Sequence, residues 1–170
     1  MVNIGKRLVE ALAIAIVYIA TAQLGFLAAI SPGNVTVVWP PSGIALAAML
    51  LLGYRAWAGV WLGSFLVNVL FFIFHDTLFS TAVTAASSIA AGSTLQAFLA
   101  AFLYRRMIGP GIPHELKGVF NFMTLATLSC LVAPTVGMRS LVFSSAIAWT
   151  NYTDTWLTWW LGGTSFCGEA

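Results

Sequence analysis

Residues Val37 to Trp57 read "VVWPPSGIALAAMLLLGYRAW". Two adjacent prolines follow a tryptophan, and the run from Pro40 ends after thirteen residues at Leu52. As a helix that run covers about 20 Å, against a membrane hydrocarbon core of about 30 Å. The residue ahead of a proline is biased to extended backbone, and proline suits the first helical turn, where its missing N–H goes unused. The preceding "VTVVW" is β-branched and extended in character. The stretch therefore predicts a half-helix, Pro40 to Leu52, entered by an extended strand that descends from the surface. Ser42 stands where its hydroxyl can meet the free amides of the first turn. Backbone of this kind is tolerated at membrane depth only where it is buried in protein or lines a wet cavity.

The rest of the chain fits that setting. Of 170 residues, 60% are hydrophobic and only 7% charged, with a mean hydropathy of +0.94. A soluble domain carries about 25% charged residues, so lipid is the solvent for most of this surface. Apolar runs place a first span at about Leu8 to Ile30, then the short Pro40 to Leu52 segment. A third span covers Ala56 to Phe74, a fourth Leu78 to Tyr104 and a fifth Val119 to Val136. Ser140 to Trp149 either extends the fifth span or forms a separate helix, and a last segment begins near Thr155. The predicted fold is an all-α integral membrane bundle of five to six transmembrane helices with a proline-broken short second helix, forming one domain over residues 1–170. Lys6 and Arg7 ahead of an apolar run resemble a signal peptide, but the run continues to Ile30, which favours an uncleaved first span. The fourth span is dense in Ala, Ser, Thr and Gly, which lets helices approach closely, and is expected at the centre of the bundle.

With the N-terminus in the cytoplasm, six of the seven basic residues (Lys6, Arg7, Arg55, Arg105, Arg106 and Lys117) fall on the inner side and only Arg139 toward the outside. That is a positive-inside pattern, expected for a multi-pass membrane protein with its N-terminus inside. Trp57 and Trp61 then suit the inner interface, Trp149 and Trp156 the outer one. Glu10 is expected to pair with Lys6 and Arg7, and Arg139 to snorkel outward or pair with Asp154.

Counting about 1.5 Å per residue from the inner boundary, Gln23, Trp39 and Asn68 fall at one depth with Ser42 and the Pro40 amide region. A helix N-terminus there presents unpaired N–H groups and partial positive charge, and broken helices often mark binding sites. The candidate ligand-binding set is therefore Trp39, Pro40, Pro41, Ser42, Gln23, Asn68 and Arg139, in a pocket open to the outer half. Singly, each polar residue reads better as an interhelical hydrogen bond; together they suggest a pocket. Gln96 lies deeper, and Cys130 and Cys167 have no partner at metal or redox spacing. His75 and His114, the only histidines, both fall in turns, so helix-borne haem ligation is a poor reading. There is no carboxylate cluster, nucleophile elbow, phosphate loop or metal spacing. The reading is a non-enzyme without metal or cofactor, and a net charge of +2 gives no reason to expect nucleic acid as a partner.

"YIATAQLGFLAA", "VTVVWPPSGIALAAMLLLGYRAWAGVWLGSFLVN" and "TDTWLTWWLGG" together resemble the membrane-associated sensor (MASE) family, type one. The double-proline segment through Asn68 is the most specific part of the resemblance, which extends more weakly over nearly the whole chain. It implies an integral sensory module of a bacterial inner membrane, whose members usually sit N-terminal to a histidine kinase, a diguanylate cyclase or a cyclic-di-GMP phosphodiesterase. Signal transduction through a cytoplasmic signalling domain or protein, alongside contact with membrane lipids, is the expected function. The chain departs from the pattern near its end: Gly163 stands where the family carries an aspartate, and no output domain follows, so either a truncated sensor or a shortened descendant with a new role is expected. The alternative is a noncatalytic accessory subunit of a larger membrane complex, respiratory or photosynthetic. A transporter ranks third, for want of a paired repeat.

Overall fold

The computed structural model describes residues 4–27, 29–30, 35–36, 39–109, 116–143 and 148–167. The elements are helices α1 (Ile4–Leu27), α2 (Pro40–Leu52), α3 (Trp57–Phe74), α4 (Phe79–Met107), α5 (Leu116–Ser129), α6 (Val132–Phe143) and α7 (Tyr152–Cys167). Two-residue strands β1 (Ala29–Ile30) and β2 (Val35–Thr36) pair antiparallel between α1 and α2. One 3-10 turn, Tyr54–Ala56, joins α2 to α3, and another, Trp149–Asn151, leads into α7. Four segments are long and apolar enough to cross a membrane: Ile4–Leu27, Tyr54–Phe74, Phe79–Met107 and Leu116–Phe143. With the shorter α2 and α7 this is the expected all-helical bundle. Its outer faces are apolar: Ile16, Leu27, Leu51, Phe74, Phe120 and Phe143 are all exposed, as lipid requires.

The fourth helix is central, as its composition predicts: α4 packs on α2, α3, α5 and α6. Against it and against α1 runs α3. A side chain at Gly59 would meet the Ala11 carbonyl oxygen at 2.7 Å, and one at Gly63 would meet Tyr18 Cβ at 2.8 Å. This Gly-x-x-x-Gly pair on α3 lets α1 approach to backbone contact, the close packing that holds helices together in lipid. The main core gathers Ile14, Tyr18 and Ala22 of α1, Leu46 and Met49 of α2, Val60 and Val67 of α3, and Ala97 and Ala101 of α4.

The short second helix starts and stops where the sequence predicts. Trp39 is its N-cap, Pro40 and Pro41 fill the first two helical positions, and Gly53 ends it with a φ of +80°, a conformation that favours glycine. Val35–Thr36 of the entering segment is extended; residues 37–38, the rest of the predicted strand, lie outside the described residues, as does His114.

One expectation needs correction. The fifth span is not continuous: it breaks at Cys130 and Leu131 into α5 and α6, and α6 runs on to Phe143. Pro134 is the cause, since its ring clashes with the carbonyl four residues back, that of Cys130, and it has no N–H to donate. Residues 144–147, part of the predicted outer segment, lie outside the described residues. Beyond the pairing with Lys6 and Arg7 that the sequence suggests, Glu10 bridges to Arg55 at 3.3 Å, because the turn after α2 rests against α1.

Candidate functional site

A short helix inside apolar surroundings has a specific problem: four amides at one end and four carbonyls at the other lack intrahelical partners, and lipid offers none. In α2 the double proline removes two of those donors outright. The third, Ser42 N–H, donates to Trp39 O at 3.1 Å. Ser42 Oγ also donates, to Trp39 O at 2.9 Å and Gly163 O at 3.1 Å, and the Trp39 amide donates to Gly162 O at 3.0 Å. The N-terminus of α2 is thus seated on the carbonyls of α7. This corrects the expectation of unpaired amides there: Ser42 meets carbonyls rather than amides, and α7 supplies negative backbone dipole opposite the positive helix end.

The other end of α2 is held by a residue that sequence reasoning assigned only to a surface. Arg105 of α4 donates from Nη2 to Met49 O at 2.8 Å and Leu50 O at 3.1 Å, with its guanidinium 4.8 Å from the centre of the Tyr54 ring. A cation on the last carbonyls complements the helix dipole as well as its hydrogen bonding.

The Pro134 break is satisfied in the same manner. Leu131 N–H turns to Leu128 O at 3.2 Å, which frees Thr127 O to accept from Trp160 Nε1 at 3.2 Å. Beyond the break, Ala133 N–H donates to Gln96 Oε1 at 3.3 Å, and Gln96 Nε2 donates to the buried Cys130 Sγ at 3.3 Å. Trp156 Nε1 donates to Thr135 Oγ1 at 3.2 Å; the sequence pattern placed that residue at an interface, but its indole is engaged on α6. Trp159 lies over Gly137, where even a Cβ would collide with its ring. The three tryptophans of "TWLTWWLGG" therefore fasten α7 across both halves of the broken span.

The interruptions meet around one cavity of about 20 Å³. Tyr18 of α1, Trp39 and Ser42 at the start of α2, Ser93 and Gln96 of α4, Cys130 and Pro134 at the α5–α6 break, and Trp159 and Gly163 of α7 all line it. The Tyr18 hydroxyl lies near the side chains of Ser64, Ser93 and Trp39. Trp39 is wedged against α1, its ring at 2.9 Å from where a Gly25 side chain would begin and 5.4 Å from the Phe26 ring, edge-on.

Of the sequence-predicted set, Trp39 and Ser42 are brought together on this cavity, with Pro40 and Pro41 directly between them in the chain. The other three point elsewhere. Gln23 is exposed on α1. Asn68 is half-buried and donates from Nδ2 to Ser64 O of its own helix at 2.8 Å. Arg139 is exposed, and no ion pair joins it to Asp154 among the described residues. Gln96, Cys130 and Gly163 are the lining residues that sequence reasoning discussed without including.

These parts, from the double proline that opens α2 to the glycine pair of α7, fall within the span that the family comparison matches. The MASE1 model matches residues 10–165. The chain belongs to the MASE1 family. MASE1 modules are membrane-associated sensor domains, so this chain is a multi-pass membrane protein of a sensory family rather than a catalytic one. No curated protein and no solved structure matches it.

Proposed function

We propose that this MASE1 module is a sensory input element of a bacterial inner membrane. The N-terminus and basic end face the cytoplasm, and α7 carries the signal inward to a cytoplasmic signalling partner. The signal acts where α2, the α5–α6 break and α7 converge, with Trp39 and Ser42 as the contact residues. The observation that supports this reading is the backbone seam between α2 and α7: Trp39 N–H on Gly162 O and Ser42 Oγ on Gly163 O. Anything that shifts the start of α2 must move α7 or break those bonds. A ligand changes such an equilibrium only as far as it favours one arrangement, and a helix end seated on another helix's carbonyls has two discrete settings, seated and released. Gln23, Asn68 and Arg139, which point away from the cavity, would then contribute to a separate outer-facing contact or none.

The test is a chimera in which the chain is joined to a diguanylate cyclase reporter domain. Trp39→Ala and Ser42→Ala are expected to change reporter output at least severalfold, while Gln23→Ala and Arg139→Ala leave it near the parent level. Equal output from all four variants, at equal membrane abundance, would remove the seam as the signalling element.

A further inference from the structure

The cavity itself carries an inference that does not depend on any signalling role. Its volume, about 20 Å³, exceeds the roughly 10–15 Å³ that one water molecule needs and falls far below the several hundred Å³ of an ordinary ligand pocket. None of its twelve lining residues carries a formal charge at neutral pH, so it is not built for an ion. Nor is it an apolar void, because the hydroxyls of Tyr18, Ser42 and Ser93 stand in its wall.

Those hydroxyls have capacity to spare. Each offers one proton and two lone pairs. Ser42 Oγ commits its proton to the carbonyls of Trp39 and Gly163, which leaves its lone pairs to accept. Ser64 Oγ reaches Ser93 Oγ at 3.4 Å, beyond the usual 2.5–3.0 Å for such a bond. A buried water typically makes about three hydrogen bonds to groups of this kind.

We propose that the cavity is a hydration site: one water molecule held between the Tyr18 hydroxyl, Ser42 Oγ and Ser93 Oγ, bridging α1, α2 and α4 beside the α7 backbone. The water donates to Ser93 or Tyr18 and gives a proton toward the Ser42 lone pair, so the start of α2 is tied to α4 as well as to α7. It occupies the place where the start of the proline-broken α2 meets the Pro134 break.

The experiment is a structure of the whole chain in lipid nanodiscs at a resolution that shows ordered water. The expected result is a single density peak within about 3.2 Å of Ser42 Oγ and of the Tyr18 or Ser93 hydroxyl. An empty cavity overturns the proposal, and so does elongated density of an organic molecule or lipid chain. Xenon pressure supplies an independent readout: the wild-type chain is expected to take up no xenon there, and a xenon atom in the cavity identifies a dry apolar void and overturns the proposal. In Ser42→Ala the water peak is expected to be lost; a water persisting at full strength contradicts Ser42 as its anchor. Failure of any of these leaves the α2–α7 seam, and the sensory reading built on it, untouched.

Discussion

Two regions of this bundle meet the demands of lipid in opposite ways. Helices α1, α3 and α4 are unbroken rods whose backbone groups are satisfied internally, and they associate by removing side chains: Gly59 and Gly63 bring α3 onto α1. The segments α2, α5–α6 and α7 include two interruptions, and they associate by supplying partners to exposed backbone. Gly162 and Gly163 serve the start of α2, Arg105 its end, Gln96 and Trp160 the Pro134 break. A rod region tolerates no added volume but makes few specific hydrogen bonds. The broken region depends on named hydrogen bonds, each removable by one substitution, and is therefore the part that can rearrange while the rods stay packed.

That contrast is open to direct attack. The largest effect is expected in the rods: Gly59→Leu combined with Gly63→Leu places side chains against the Ala11 carbonyl and Tyr18 Cβ, where backbone cannot yield. A loss of more than about 3 kcal/mol is expected, seen as failure to recover a monodisperse protein from the membrane. Arg105→Ala, which strips two carbonyls at the end of α2, is expected to cost about 2–3 kcal/mol by thermal unfolding in nanodiscs. Arg105→Lys should restore less than half of it, since an ammonium lacks the planar fork and the ring contact with Tyr54. Gln96→Leu leaves the Ala133 amide without its acceptor, at about 1–2 kcal/mol, with faster hydrogen exchange at that amide and little change in α3. Glu10→Gln weakens a half-exposed pair with Arg55 and should alter stability by less than about 1 kcal/mol. If the glycine variants proved mild and Glu10→Gln severe, the division into rods and clamps would be wrong.

How far the sequence could be read follows from the range of the interactions. The limits of α2 were legible to the residue, because Pro40, Pro41 and Gly53 act on their own backbone and need no neighbour to be understood. The rods were legible from apolar length. The break in the fifth span was signalled by Pro134, yet it lies inside an apolar run of spanning length, and the prolines of membrane helices break or merely bend them according to what surrounds them. The clamps were not legible at all: Arg105 lies 55 and 56 residues from the carbonyls it caps, and only the packing of α4 on α2 brings it there.

The candidate site divides along the same line. Trp39 and Ser42 were found because they belong to the proline turn itself. Gln23 and Asn68 were chosen by height above the inner boundary, but each residue on a helix also turns about 100° from the last. Height without angle does not fix a face: Gln23 is exposed on α1, and Asn68 is half-buried yet bonded to its own helix. Gly163 was noticed as a departure from a family pattern; its place in the cavity wall depends on α7 closing against Cys130, with a Cβ there only 3.7 Å from the thiol.

The seam between α2 and α7 can be tested at one atom. In chain labelled with 15N-tryptophan and held in nanodiscs, the Trp39 backbone amide, assigned by its loss in Trp39→Phe, is expected to exchange with solvent as slowly as amides in the middle of α4, because it donates to Gly162 O at 3.0 Å. Exchange at the rate of an open loop would mean that the start of α2 lies in water, unattached to α7, and would contradict the seam.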